Sequence, residues 1–166
     1  TGSTIEHDSV HYAASNTTVT FSDISSGTWY INNTSLNGAT TYTMTAADAV
    51  LTDHFVIDGL TYNSADGGYY EISTADDLQT LSAYVNGGKN CSGLTFKQTA
   101  DIDMYYVDNF TAIGNNSSQT FNGTFDGNGK TISNLKSTET SSLYQGLFGY
   151  LDGGGMIENV TLKEDR

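Results

Sequence analysis

The sequence predicts an all-β chain, a short β-solenoid with one capping α-helix and a β-rich segment in front of it. Three observations predict this: short runs that alternate apolar and polar residues, a single amphipathic stretch of helical period, and an internal repeat between residues 123 and 160.

The first element group lies between residues 17 and 72. Val19 and Phe21, Trp29 and Ile31, Tyr42 and Met44, Phe55 and Ile57, and Tyr70 and Ile72 alternate with polar residues, the pattern of half-buried strands. Ser25-Ser26-Gly27, Asn37-Gly38, Asp58-Gly59 and Asp66-Gly67-Gly68 separate them, residues that accept turn geometry and positive φ. No proline is present, so Gly, Asn and Asp must make the turns and no stiff linker marks a boundary.

The helix is expected at 74–86. Thr74 is placed to cap it, Asp76 and Asp77 complement the positive end of the helix dipole, and Leu78, Leu81 and Val85 share one face. Asn86-Gly87-Gly88 ends it. With one apolar face, the helix is expected to cover a sheet or its end.

Beyond Leu94 the chain returns to short strands and repeats itself. Gly123, Phe125, Asp126 and Gly127 match Gly149, Leu151, Asp152 and Gly153, and Ile132, Asn134 and Leu135 match Ile157, Asn159 and Val160. A unit of strand, glycine-rich turn and strand is what one solenoid coil needs. The match predicts that Phe125 stacks on Leu151, Ile132 on Ile157 and Leu135 on Val160, with Asn134 and Asn159 bonding each other's amides.

Composition narrows the functions. Of 166 residues, 19 are acidic and 6 basic, for a net charge of −13. Nucleic acid and anionic membrane surfaces both require a positive patch, which six scattered cations do not build. No run approaches the ~20 apolar residues of a membrane helix. The start Thr1-Gly2-Ser3 lacks the features of a signal peptide, so any export signal is expected to be removed or to lie outside this segment. The single cysteine, Cys91, cannot close a disulfide within the chain.

The stretch from Phe121 through Gly123-Thr124-Phe125-Asp126-Gly127-Asn128-Gly129 to Leu135, followed by Gly146-Leu147-Phe148-Gly149, resembles the GLUG-type repeat of large bacterial surface proteins. Adhesins and the non-catalytic parts of immunoglobulin-A-cleaving metallopeptidases carry such repeats. Residues 70–78 and 96–103 look like the helix-and-strand leader that precedes them, so the resemblance covers residues 70–162. It implies a right-handed parallel β-helix displayed outside the cell, on a bacterial surface. Two segments follow: 1–69, a β-rich part read either as a small β module or as irregular early coils, and 70–166, the repeat region with its leader helix at 74–86.

Several groups invite a chemical reading. Asp101 and Asp103 alternate on an expected strand and share a face, where they are placed to act as acid and base across a sugar or to ligate Ca²⁺. A solvated strand face is the plainer reading of the same pair. Asp126-Gly127-Asn128-Gly129 has part of a calcium loop but lacks the bidentate acid that closes one. His7 and His11 stand near a chain end with a poor helix nucleus between them, and His54 beside Asp53 has no nucleophile motif. Cys91 reads as packing. No catalytic residue is assigned and no cofactor is expected, with weak Ca²⁺ binding left open.

Tyrosine, with 11 copies, is the better functional resource. Tyr69-Tyr70, Tyr105-Tyr106 and Trp29-Tyr30 each put at least one ring outward if they lie on strands. Such rings, beside Asp101 and Asp103, stack on sugars or anchor a protein. The expectation is a non-enzymatic, adhesin-like stalk or binding module for a glycan or host surface protein. A polysaccharide hydrolase or lyase is the rival, against which the lone Arg166 counts, and a purely structural spacer is the third reading. The chain stops just after a coil closes, so weak end-to-end dimers are expected from an open sheet edge.

Overall fold

The computed structural model describes residues 3–4, 18–20, 30–31, 34–35, 41–43, 51–52, 54–138 and 143–164. The chain forms two compact units, Thr1–Val56 and Ile57–Arg166. In the first, β1 (Ser3–Thr4), β2 (Thr18–Thr20) and β5 (Thr41–Thr43) form one sheet. A second sheet holds β3 (Tyr30–Ile31), β4 (Thr34–Ser35) and β6 (Leu51–Thr52). Among the described residues of this unit, the β1–β2 pair is parallel and the other strand pairs are antiparallel. Phe21, Trp29 and Met44 lie outside the described residues, as do His7, His11, Asp53 and Arg166. Phe55 and Ile57, expected on a strand, are not on one. The preceding Leu51–Thr52 makes the pairing instead, and Ile57 enters a turn in which its carbonyl accepts the N–H of Leu60 at 3.1 Å.

The second unit contains β7 (Tyr62–Asn63), β8 (Tyr69–Ile72), α1 (Ala75–Asn86), β9 (Thr95–Gln98), β10 (Ile102–Asp103), β11 (Thr124–Asp126), β12 (Thr131–Ser133), β13 (Met156–Glu158) and β14 (Thr161–Lys163). They build a five-stranded sheet in the order β13-β11-β9-β8-β7 and a three-stranded sheet in the order β10-β12-β14. Every pair is parallel except β7–β8. The chain is therefore mainly β, with one α-helix among the described residues.

Residues 57–69, counted with the N-terminal segment on sequence, belong to this second unit. The reason is the β7–β8 hairpin: Tyr62 pairs with Tyr70, and the Asn63 amide donates to Glu71 at 2.8 Å. Asp66 turns the chain at φ 52°, and Gly68 follows where a Cβ would strike the Tyr62 hydroxyl.

The core follows from strand register. Tyr70, Phe96 and Phe125 occupy one row of the five-stranded sheet, all buried, with Tyr70 and Phe96 stacked at 5.3 Å. Phe121 packs at 6.0 Å from Phe96, and Phe148 lies 5.1 Å from Phe121 and 5.2 Å from Phe125. Ile102 and Ile132, in register on the smaller sheet, are buried as well. Buried Gln98 donates from its amide to the carbonyls of Ala100 and Thr131 at 2.8 and 3.1 Å, tying the end of β9 to the smaller sheet.

The stacking register differs from the sequence self-match. Phe125 pairs with Ile157, Ile132 with Leu162, and Leu151 with Phe121. Identical Asp-Gly letters aligned two turns of different kinds. Asp126-Gly127-Asn128-Gly129 joins β11 to β12, whereas Asp152-Gly153-Gly154-Gly155 comes before β13. Leu135 and Val160 lie outside the strands. The expected Asn134–Asn159 bond is replaced by two Asn-to-Asp bonds: Asn134 Nδ2 donates to Asp103 at 2.8 Å, and Asn159 Nδ2 to Asp126 at 2.9 Å. Both asparagines follow a strand in the left-handed conformation, φ 57° and 55°, which Asn tolerates because its short side chain bonds locally.

Helix α1 follows its sequence signals. The Thr74 hydroxyl accepts the Asp77 N–H at 3.1 Å, and the Asp77 carboxylate accepts the Thr74 N–H at 2.9 Å, a reciprocal cap. Leu78, Leu81 and Val85 are fully buried. The left-handed residue at its end is Gly88, φ 76°, while Gly87 stays at φ −76°. No helix among the described residues is long and apolar enough to cross a membrane.

Candidate functional site

The aromatic pair singled out on sequence sits on a turn rather than a strand. β10 ends at Asp103, and the N–H of Val107 bonds the carbonyl of Met104 at 2.9 Å, so Tyr105 and Tyr106 become the two central residues of a β-turn. Both rings then point outward, 56% and 91% exposed, where a strand would have turned one of them in. Met104 anchors the turn in the core, fully buried. The rings meet edge to face at 5.1 Å. Lys136 holds Tyr105 from the side: its Nζ donates to the Tyr105 carbonyl at 2.6 Å and lies 4.7 Å from the centre of the Tyr105 ring.

Asp103 shapes this turn. Its Oδ1 accepts the Asn134 amide at 2.8 Å and the Tyr105 N–H at 2.9 Å. These bonds favour the charged form, the Asn134 bond most, and with the Lys136 ammonium they hold the carboxyl below the usual aspartate range. Asp101 faces outward too, but its Oδ1 accepts the Thr131 N–H at 2.8 Å. Each carboxylate thus spends one oxygen on backbone or amide donors of its own fold, and each closes a connection to β12 or the residue after it.

The remaining candidates scatter. Tyr30 lies in the first unit, edge-on to Phe55 at 6.0 Å, and Trp29 is outside the described residues. Tyr70 is core and Tyr69 half-exposed, with the Lys97 ammonium 5.0 Å from the Tyr69 ring. Cys91 is fully buried, and burial pushes its thiol up to about 12. The Asp126 turn is closed by hydrogen bonds, with Asp126 Oδ1 accepting the Asn128 N–H at 2.8 Å and Lys130 N–H bonding the Gly127 carbonyl at 2.8 Å. Among the described residues no three His, Cys, Asp or Glu side chains are grouped to hold a metal ion.

A second feature has no sequence signal beyond a local density of asparagine. The segment 109–116 runs beside α1 as a wall shared by two open clefts. One, about 310 Å³, lies against the helix at Gln79, Ser82 and Asn86. The other, about 290 Å³, is bordered by Asn116, Ser137 and Tyr144. Asn109, Phe110, Thr111 and Asn115 line both. Ser82 Oγ donates to the Thr111 carbonyl at 2.6 Å and fixes the wall to the helix. These clefts depend on residues far apart in sequence meeting in space, which periodicity does not report.

No family model matches this chain, and no solved structure matches it. Among curated proteins it is similar to Halomucin of Haloquadratum walsbyi, 34% identical over 113 residues. That similarity covers 62% of this chain, and the chain spans about 1% of the length of Halomucin.

Proposed function

We propose that this chain is a segment of a large extracellular surface protein, an adhesin-like stalk and binding module for a glycan or a surface protein, built on a short right-handed β-helix of the GLUG type. The winding supports the architecture. From β9 to β14 the chain visits the five-stranded and the three-stranded sheet alternately, always adding parallel, which is how a solenoid coils. Parallel crossovers of this kind are almost always right-handed. Similarity to a small part of Halomucin, a name that denotes a mucin-like protein, supports an extracellular setting.

The observation that carries attachment is the Tyr105–Tyr106 turn. Two exposed rings are costly to leave in water, and here Tyr105 is held by Asp103 and Lys136 while Tyr106 stands edge-on against it. A ring fixed as Tyr105 is loses little conformational entropy on binding. The Asp103 carboxyl, held below its usual range chiefly by the Asn134 amide, stands as a charged acceptor at the base of the turn.

A glycan array probed with the purified chain, with and without Ca²⁺, tests the proposal. Selective binding lost in a Tyr105→Ala/Tyr106→Ala double variant supports an attachment module. Cleavage of a polysaccharide that stops in Asp103→Asn would replace it with the enzyme reading. Silence on the array and in pull-downs with surface proteins would leave only a spacer.

A further inference from the structure

We infer that the two clefts flanking residues 109–116 form a continuous site for a neutral, hydroxyl-rich oligosaccharide. The inference rests on the attachment reading in that it assumes a binding role, and it names the ligand class and a contact surface other than the tyrosine turn.

Charge is the first argument. The protein carries 19 acidic side chains, yet among the described residues no Asp, Glu, Lys or Arg lines either cleft. An anionic ligand would find no cation there, and a cationic one no carboxylate. A neutral ligand escapes both penalties.

Hydrogen-bonding capacity is the second. Asn109 accepts the Thr138 N–H at 2.8 Å through Oδ1, and Asn115 accepts the Asn116 amide at 2.9 Å through Oδ1. Their Nδ2 groups donate to no protein acceptor among the described residues. Gln79 donates to Asp76 at 3.3 Å, which leaves its Oε1 available to accept. Donors on the wall and an acceptor on the helix beside it suit sugar hydroxyls, each of which gives and takes a hydrogen bond.

Rigidity is the third. Asn86 Oδ1 accepts the N–H groups of both Gly114 and Asn115, and its Nδ2 donates to the Ala112 carbonyl at 2.9 Å, so the wall is pinned to α1 before any ligand arrives. Tyr144, edge-on to Tyr150 at 5.4 Å, gives the second cleft an aromatic side on which a sugar ring can rest. Because the clefts share their wall, two or more linked rings fit the arrangement better than one.

The test is a titration of the isotope-labelled full chain with neutral di- to tetrasaccharides, alongside sialylated and uronate-containing ones, following the side-chain NH₂ resonances of Asn109, Asn115 and Gln79. The expected result is that neutral sugars shift these resonances. Gln79→Ala, an exposed helix position whose loss leaves the fold intact by thermal melt, should weaken binding roughly threefold to tenfold. The Tyr105→Ala/Tyr106→Ala variant should bind the same sugars within about twofold of the parent. Preference for anionic sugars would overturn the inference, as would unmoved amide resonances or full affinity in Gln79→Ala. If sugars bind only through the tyrosine turn, the attachment reading stands and this site falls; if neither region responds to a glycan or protein, both fall.

Discussion

Asn86 Oδ1 accepts the backbone N–H of Gly114 at 3.0 Å, joining the last residue of the helix to a segment that belongs to no sheet. The same carboxamide also takes the Asn115 N–H at 2.9 Å and donates to Ala112 and Ser82. A side chain here supplies what a neighbouring strand supplies elsewhere.

Replacing it should show this. Asn86→Ala leaves the buried Gly114 N–H and the Ala112 carbonyl without these partners, and a loss of about 2–4 kcal/mol is expected in urea denaturation. Asn86→Asp keeps the acceptor and loses the donor, so its loss should be smaller.

Two glycines of one turn should separate close approach from backbone conformation. A Cβ on Gly127 would lie 2.4 Å from the Asn159 carbonyl oxygen, so Gly127→Ala forces neighbouring backbone apart. Gly129, at φ 66°, has open space where its Cβ would be, and Gly129→Ala should cost only the left-handed penalty of about 1–2 kcal/mol. Gly127→Ala is expected to lower the melting temperature more than Gly129→Ala.

Asp103 should titrate low. Its folded carboxyl lies below its unfolded value, so the stability it contributes is present above the unfolded value and is lost as pH falls through the folded one. The carboxyl carbon resonance should show a midpoint below that of an ordinary aspartate, and Asn134→Ala should move it up. An unchanged midpoint in that variant would remove Asn134 as the main cause.

Salt should stabilise the protein. A charge of −13 repels itself in the compact state, and the screening length falls from ~10 Å at 0.1 M salt to ~3 Å at 1 M. The melting temperature should rise over that range, and a flat or falling curve would mean that local ion pairs such as Lys97–Asp66, 3.1 Å apart, outweigh the net repulsion.

Weak self-association should occur through the outer strands β13 and β14. Leu162, 53% exposed, continues the row of buried Ile132 and Ile102, and Met156, 47% exposed, lies beside Ile157, which continues the row of buried Phe125 and Phe96. Sedimentation should show a dimer growing with concentration and reduced by Leu162→Lys. A strict monomer at high concentration would contradict it.

What was legible in the sequence was local. Thr74, Asp77, Leu78, Leu81 and Val85 lie within a few turns of one another, and a helix reads its own neighbours. Outward placement of Asp101 and Asp103 followed from alternation around Ile102. Register was not legible, because Phe125 and Ile157 pair through shape and burial and share no letter with the Asp-Gly motif that dominated the self-match. Tyr105 and Tyr106 are exposed for a reason alternation does not contain, since the Asp103 carboxylate folds them into a turn. The asparagine wall was hidden because Asn86 and Gly114 become neighbours only once the core has formed.

The hairpin at β7 and β8 gives the larger sheet a direction. Tyr62–Asn63 runs against its neighbour, whereas each later strand runs with the one before it. The hairpin makes one edge of the larger sheet antiparallel, and the parallel sense runs on to the opposite edge at Met156–Glu158. The two edges of this sheet are therefore unlike: a strand added at Met156–Glu158 can keep the sense of the ladder, whereas one added at Tyr62–Asn63 meets a strand already reversed.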